Sequence, residues 1–147
     1  LGREIRVGSS KAATGDQVTV PIEMIPYGDE VGVGFTLEYD PAVLQNPRVV
    51  LEDGVLEGAV LTVNDLEKGK LGILVDATGP ITASAVGVRF VTVTFDVAEK
   101  TRGVTMIDLT DSLASRAASD AQGKTLSTRW LGGSIEILGR KPGIEIP

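Results

Sequence analysis

The sequence predicts an all-β domain, a β-sandwich or jelly roll built from eight or nine short strands. Apolar and polar residues alternate with a period of two along almost the whole chain, as half-buried strands of antiparallel sheets require. No stretch carries a convincing 3.6-residue apolar stripe of the kind an amphipathic helix shows. Turn residues recur at short, regular intervals, which is the spacing of sandwiches and barrels. With 147 residues, 42% hydrophobic and 23% charged, the chain has the composition of one globular domain with a sizeable core.

The elements follow in order. "QVTVPIEM" puts Val18, Val20, Ile22 and Met24 on one face, and Pro21, which cannot donate to a ladder, places this strand at an edge or a bulge. "VGVGFTLEY" then directs Val31, Val33, Phe35, Leu37 and Tyr39 inward and leaves Gly32, Gly34, Thr36 and Glu38 on the outer face. The run ends at "YDP": proline fixes φ, the Asp side chain can bond nearby backbone, and the chain turns before Val43 and Leu44 re-enter the core. Further strands are expected near 47–52, 59–66 and 70–77. The last two are joined by "DLEKGK", where Gly69 supplies the positive φ of a hairpin. "VGVRFVTVTFDVA" (86–98) is apolar on both faces for much of its length, as a central strand should be. "GVTMIDL" (103–109) and "STRWLGGSIEIL" (127–138) complete the set. Between them, "TDSLASRAASDAQGK" fits a short helical turn, a flap or a broken strand. The domain is expected to span 1–138, with "GRKPGIEIP" (139–147) as an interdomain linker or expression scar.

Composition excludes several classes of function. The net charge is −6 with a pI near 4.6 and scattered basic residues, so the positive stripe that nucleic acid demands is missing. There is no His, which removes the commonest general base, the usual catalytic triads and the commonest metal ligand. There is no Cys either, so disulfides and thiolate chemistry are excluded. Carboxylate pairs such as Asp108 with Asp111, or Asp76 with Asp120, have the chemistry of a glycosidase, but solvated strand-end carboxylates are far commoner. Neither "SDAQGK" nor "DLTDS" supplies the offsets of a calcium-binding loop. The chain begins at Leu1 without a basic and apolar leader, and its apolar runs fall short of the roughly 18 residues of a membrane span. A soluble module cut from something longer is expected, with no resident cofactor or metal.

At "GDQVTVPIEM", "VGFTLEYDPAVL" and the closing "GGSIEIL" the chain resembles the cohesin domain, the dockerin-binding module of cellulosomal scaffoldins and of cohesin-like proteins in other bacteria and archaea. The resemblance covers about residues 4–138. It implies a nine-stranded jelly-roll sandwich that is not an enzyme and acts as a monomer at the cell surface or outside the cell. One flat sheet face would meet a helical dockerin that carries its own calcium, in a setting linked to polysaccharide breakdown, with no nucleic acid and no membrane insertion.

The partner-binding positions implied by the resemblance are Gly32, Gly34 and Thr36, then Val60, Thr62 and Asn64, then Leu74, Asp76 and Thr78, and finally Leu113, Ala114 and Ser115. The best-known cellulosomal cohesins carry Asn and Asp where this chain has Gly32 and Gly34. That departure implies another dockerin class, a divergent partner or a purely structural use. Small residues on an outer face would let a partner approach the backbone, and Gly34→Arg is then expected to abolish binding while folding survives. In the other reading the glycines sit under a bulky neighbour. Leu74 is expected to point outward as an anchor. Two other function classes fit the same sandwich. A carbohydrate-binding module would need exposed rings, and only Tyr27 and Trp130 are left once Phe35, Tyr39, Phe90 and Phe95 are assigned to the core. A passive spacer would have no complementary face.

Overall fold

A computed structural model describes residues 2–139; the expected linker from residue 140 onward lies outside the described residues. The fold is a two-sheet β-sandwich of thirteen strand segments, with no helix among the described residues. One sheet is ordered β12 (Arg129–Leu131), β1 (Glu4–Val7), β3 (Gln17–Ile25), β8 (Val88–Val97), β5 (Leu44–Leu51). The other runs β6 (Val60–Asn64), β7 (Lys70–Asp76), β4 (Gly32–Glu38), β9 (Gly103–Thr110), β13 (Gly133–Leu138), β2 (Ser10–Ala13). A small hairpin of β10 (Ala117–Ser119) and β11 (Thr125–Leu126) is attached to the first half of β4.

Both chain ends switch sheets. The first strand breaks at Gly8 and Ser9, so that β1 pairs with β3 in one sheet while β2 pairs with β13 in the other. The last strand breaks at Gly132 in the same way, and β12 lies parallel to β1 while β13 lies parallel to β2. Counting each broken strand once and setting the small hairpin aside leaves nine strands.

Alternation places the core between the sheets. Val18, Val20, Ile22, Met24, Phe90, Val93 and Phe95 on one side face Val33, Phe35, Leu37, Leu71, Ile73, Ile107 and Ile135 on the other, all buried. The "YDP" corner behaves as expected. Asp40 Oδ1 accepts the Ala42 amide at 2.9 Å, and Asp40 O accepts those of Val43 and Leu44 at 3.0 and 2.9 Å. Gly69 has φ +86° and closes the β6–β7 hairpin. The segment after β9 is a flap with a short hairpin, not a helical turn.

The sequence allows β3 an edge or a bulge, and the bulge is what occurs: β3 lies inside its sheet between β1 and β8, with a register shift at Ile22/Glu23. Pro21 is tolerated there because β1 has paired only as far as Val7 opposite Ile22 before turning away. The missing N–H falls at the break in the first strand, where the Gly8 amide still donates to Pro21 O at 2.8 Å as the chain leaves. A buried charge cluster ties the N-terminal strand to the loop before β4. Arg3 Nε meets Glu30 Oε2 at 2.6 Å, its Nη2 meets Asp29 at 2.8 Å, its Nη1 donates to Ser127 O, and its guanidinium lies 4.6 Å from the Tyr27 ring centroid. Burial alone would raise the Glu30 pKa, but the Tyr27 amide and Arg3 hold it below the ordinary value.

Candidate partner-binding face

The outer face of the second sheet gathers the predicted positions through strand register. Pairing sets Val60 beside Asp76 beside Gly32 beside Ser119, then Thr62, Leu74, Gly34 and Ala117, then Asn64, Gly72, Thr36 and Thr110. Directly opposed residues share a face, so these three rows tile one surface. Asp76 is the single charged residue among the twelve.

Its β4 part is not bare: of the two readings from sequence, the one that sets the glycines under bulky neighbours is what occurs, and the open glycine surface is corrected. Gly32, Gly34 and Thr36 are all buried. A Cβ at Gly34 would lie 2.7 Å from Leu74 Cδ2 and 3.5 Å from Ser115 O; one at Gly32 would lie 2.8 Å from Ser119 Oγ. The glycines are there because neighbours fold across them: the Leu74 side chain over Gly34 and the small hairpin over Gly32. These three positions form the floor of the face rather than its contact surface. Alternation alone cannot reveal this, because the cover comes from a neighbouring strand's side chain and from a segment far along the chain.

The cover is fastened from below. Thr36 is fully buried, and its hydroxyl accepts the amides of Leu113 and Ala114 at 2.9 and 2.7 Å while donating to Ala114 O at 2.8 Å. That uses one donor and both acceptor sites, the whole capacity of a hydroxyl. Beside it, Glu38 Oε2 accepts the hydroxyls of Thr110 and Ser112 at 2.5 and 2.7 Å, and these bonds, Thr110 first, hold its carboxyl below the usual range. Asp111 accepts the Arg116 amide and pairs with its guanidinium through both oxygens, which lowers the Asp111 pKa. Sequence reasoning missed Glu38, Ser112, Arg116 and Ser119, none of which carries a local signal of this role.

What reaches solvent is an apolar centre with a polar rim. Leu74 is 45% and Val60 63% exposed, and Leu113 and Ala114 are half-buried. A shallow cleft of about 120 Å³ lies among Thr62, Asn64, Gly72, Leu74, Leu113 and Ala114, and Gly72 forms its floor, with the Cβ atoms of Asn64 and Leu113 at 3.4 and 3.5 Å from where its own would be. Thr62, Asn64, Asp76 and Ser115 are exposed around it. Thr78 lies past the end of β7 and is bonded to Glu57 O through its amide and hydroxyl, so it belongs to the margin.

The carboxylate pairs considered for hydrolysis have other employment: Asp111 holds Arg116, and Asp120 Oδ1 accepts the amides of Gln122 and Lys124 in a turn. The aromatics are equally committed. Phe35, Phe90 and Phe95 are fully buried, Tyr39 packs on Phe95 at 4.9 Å between centroids, and the half-buried Trp130 packs on Phe35 at 6.3 Å. Tyr27 alone is largely exposed, and Arg3 occupies one face of its ring.

The sandwich thus offers a sheet face with an apolar centre, a polar rim and a charged border at Glu38, Lys70 and Asp108. The family model of the cohesin domain matches residues 4–136, and the chain belongs to the cohesin domain family, a family of non-catalytic interaction modules. Solved structures agree in fold. The Clostridium acetobutylicum cohesin CaCohA2, in a complex with the dockerin CaDoc0917, superposes with a TM-score of 0.81 at 17% identity, over 92% of this chain and 99% of that one. A cohesin–dockerin complex of Clostridium thermocellum, Coh-OlpA-Doc918, gives 0.75 at 21% identity over 94% and 100%. A non-cellulosomal cohesin from the archaeon Archaeoglobus fulgidus gives 0.75 at 15% over 94% and 92%. No curated protein matches the sequence.

Proposed function

We propose that the domain is a dockerin-binding module that uses the outer face of β6, β7 and the 113–115 segment, in a cell-surface or extracellular multidomain protein linked to polysaccharide breakdown. The observation that carries the reading is the three-row register, which sets exposed Val60, Thr62, Asn64, Leu74 and Asp76 beside Leu113, Ala114 and Ser115 around one cleft. Gly32, Gly34 and Thr36 contribute as its floor and fastening. Because they are covered, the partner is held by apolar packing on Leu74 and Leu113 rather than by polar groups on β4. A dockerin helix suits such a surface: an apolar face laid into a shallow groove is a recurring recognition mode. The partner supplies its own calcium.

Calorimetric titration with a panel of calcium-loaded dockerins tests this. Burying the exposed part of a leucine is worth about 1–2 kcal/mol, so Leu74→Ala should weaken binding by roughly tenfold with folding intact. Unchanged affinity in that variant would move the interface elsewhere. The position of the aromatics weighs against sugar binding, and a saturable shift of Trp130 fluorescence with oligosaccharides would restore that reading.

A further inference from the structure

We infer that the free edge of β6 is a self-association site, at which two copies of the domain pair antiparallel about Thr62 and join their sheets. This goes beyond dockerin binding and does not depend on it. Exposed strand edges attract other strands, and proteins blunt them with proline, charge, bulges or brevity. The other open edges here are blunted. β5 carries Pro47, Arg48 and a register shift between Gln45 and Arg48. β12 and β11 have three and two residues, and β2 has four residues with Lys11 exposed. β6 reads Val-Leu-Thr-Val-Asn, five residues with no charge, no proline and an unshifted register against β7.

The hydrogen-bond parity of this edge follows from its neighbours. Ala77 N donates to Val31 O and Tyr39 N to Gly69 O, so the odd-numbered residues of β7 direct their backbone groups toward β4. Residues 72, 74 and 76 therefore serve β6, through Asn64, Thr62 and Val60. That leaves the N–H and C=O of Leu61 and Val63 turned outward. A two-fold axis at Thr62 sets Leu61 of one copy against Val63 of the other, and both pairs carry outward groups, giving four backbone hydrogen bonds. The same register sets Thr62 against Thr62, a favourable cross-strand pair, and Val60 against Asn64. No two like charges meet within the paired strands. Leu61 and Val63, half-buried at the rim of the core, would be covered. A five-residue pairing is small, and each copy carries −6, so association is weak, with a Kd of about 0.1–1 mM, and strengthens as salt screens the repulsion.

The chain has no cysteine, so single-thiol variants report the geometry directly. Thr62 is exposed and would face its own copy as a non-hydrogen-bonded pair, at a separation that a disulfide spans. Under mild oxidation Thr62→Cys should form covalent dimers about tenfold faster than Val104→Cys, a control 67% exposed on β9. Diffusion measurements on the unaltered domain should show an average mass rising toward a dimer between about 0.05 and 1 mM, more steeply at higher salt. Equal cross-linking rates, or a monomer at 1 mM in high salt, would overturn the proposal. Binding of an extended peptide to this edge without self-association would overturn it as well.

Discussion

Replacing Thr36 by valine keeps the shape of the side chain and removes the hydroxyl that fastens the 113–114 segment to the sheet. Three backbone groups then lose their partner at once: the amides of Leu113 and Ala114 and the carbonyl of Ala114. Left buried, each would cost about 1–3 kcal/mol. The segment lies at the surface, so it lifts toward water instead, and the loss falls to the net worth of three hydrogen bonds, about 3 kcal/mol in all. For a chain of this size that lowers the melting temperature by about 6–12 °C. Thr36→Ser keeps the hydroxyl and should cost about 1 kcal/mol or less, from one methyl group. Thermal unfolding of the three proteins gives the magnitudes, and amide exchange locates them: Leu113 and Ala114 should lose protection in Thr36→Val while β8 keeps it. An unchanged melting point together with unchanged exchange at these two amides would refute the claim that this hydroxyl holds the cover in place.

Gly34→Arg should lower stability by about 1–3 kcal/mol, because the new side chain has to displace Leu74 and press on Ser115; a melting curve unchanged from the parent would show the site to be open. Arg3→Ala leaves the Glu30 carboxylate buried without its cation and should cost about 3–5 kcal/mol in urea denaturation; a loss below about 1 kcal/mol would mean that the pair is stabilised by little more than exposed ion pairs are. The carboxyls of Glu38 and Asp111 titrate below their ordinary values of 4.5 and 3.8. Their contribution is therefore complete above those values and is lost as pH falls through the lower folded ones. Protection factors at 111–116, which already allow for the intrinsic slowing of amide exchange in acid, should fall below about pH 4, and protection there that stays constant down to about pH 2 would contradict the assigned bonds.

Much of this architecture is legible in local sequence. The inward phase of Val33, Phe35 and Leu37, the "YDP" corner, the Gly69 hairpin and the central strand at 88–97 all follow from period and turn chemistry, which act over a few residues. The outward turn of Leu74 followed from phase as well, and register against β4 and β6 puts it in the middle of the face. What could not be read is what lies above β4. Gly32, Gly34 and Thr36 have the right phase to be an exposed surface, and their burial depends on the Leu74 side chain folding across Gly34 and on residues 113–119 arriving from a segment whose own sequence fits a helical turn equally well. A glycine in a strand signals close approach without saying by what. The buried Arg3–Glu30 pair is invisible for the same reason, since Arg3 Nη1 and Nη2 find Ser127 and Asp29 only once segments distant in sequence have folded together.

The central claim is that a dockerin seats on the cleft among Thr62, Asn64, Gly72, Leu74, Leu113 and Ala114. Titrating an isotope-labelled sample with a calcium-loaded dockerin, while following backbone amide and methyl resonances, tests it most directly. Saturable shifts should centre on Leu74, Leu113 and Val60 and spread to Thr62, Asn64, Asp76 and Ser115, leaving the outer face of β3, β8 and β5 unchanged. Shifts centred on that opposite sheet instead, or none with any dockerin tested at millimolar concentration, would contradict the account.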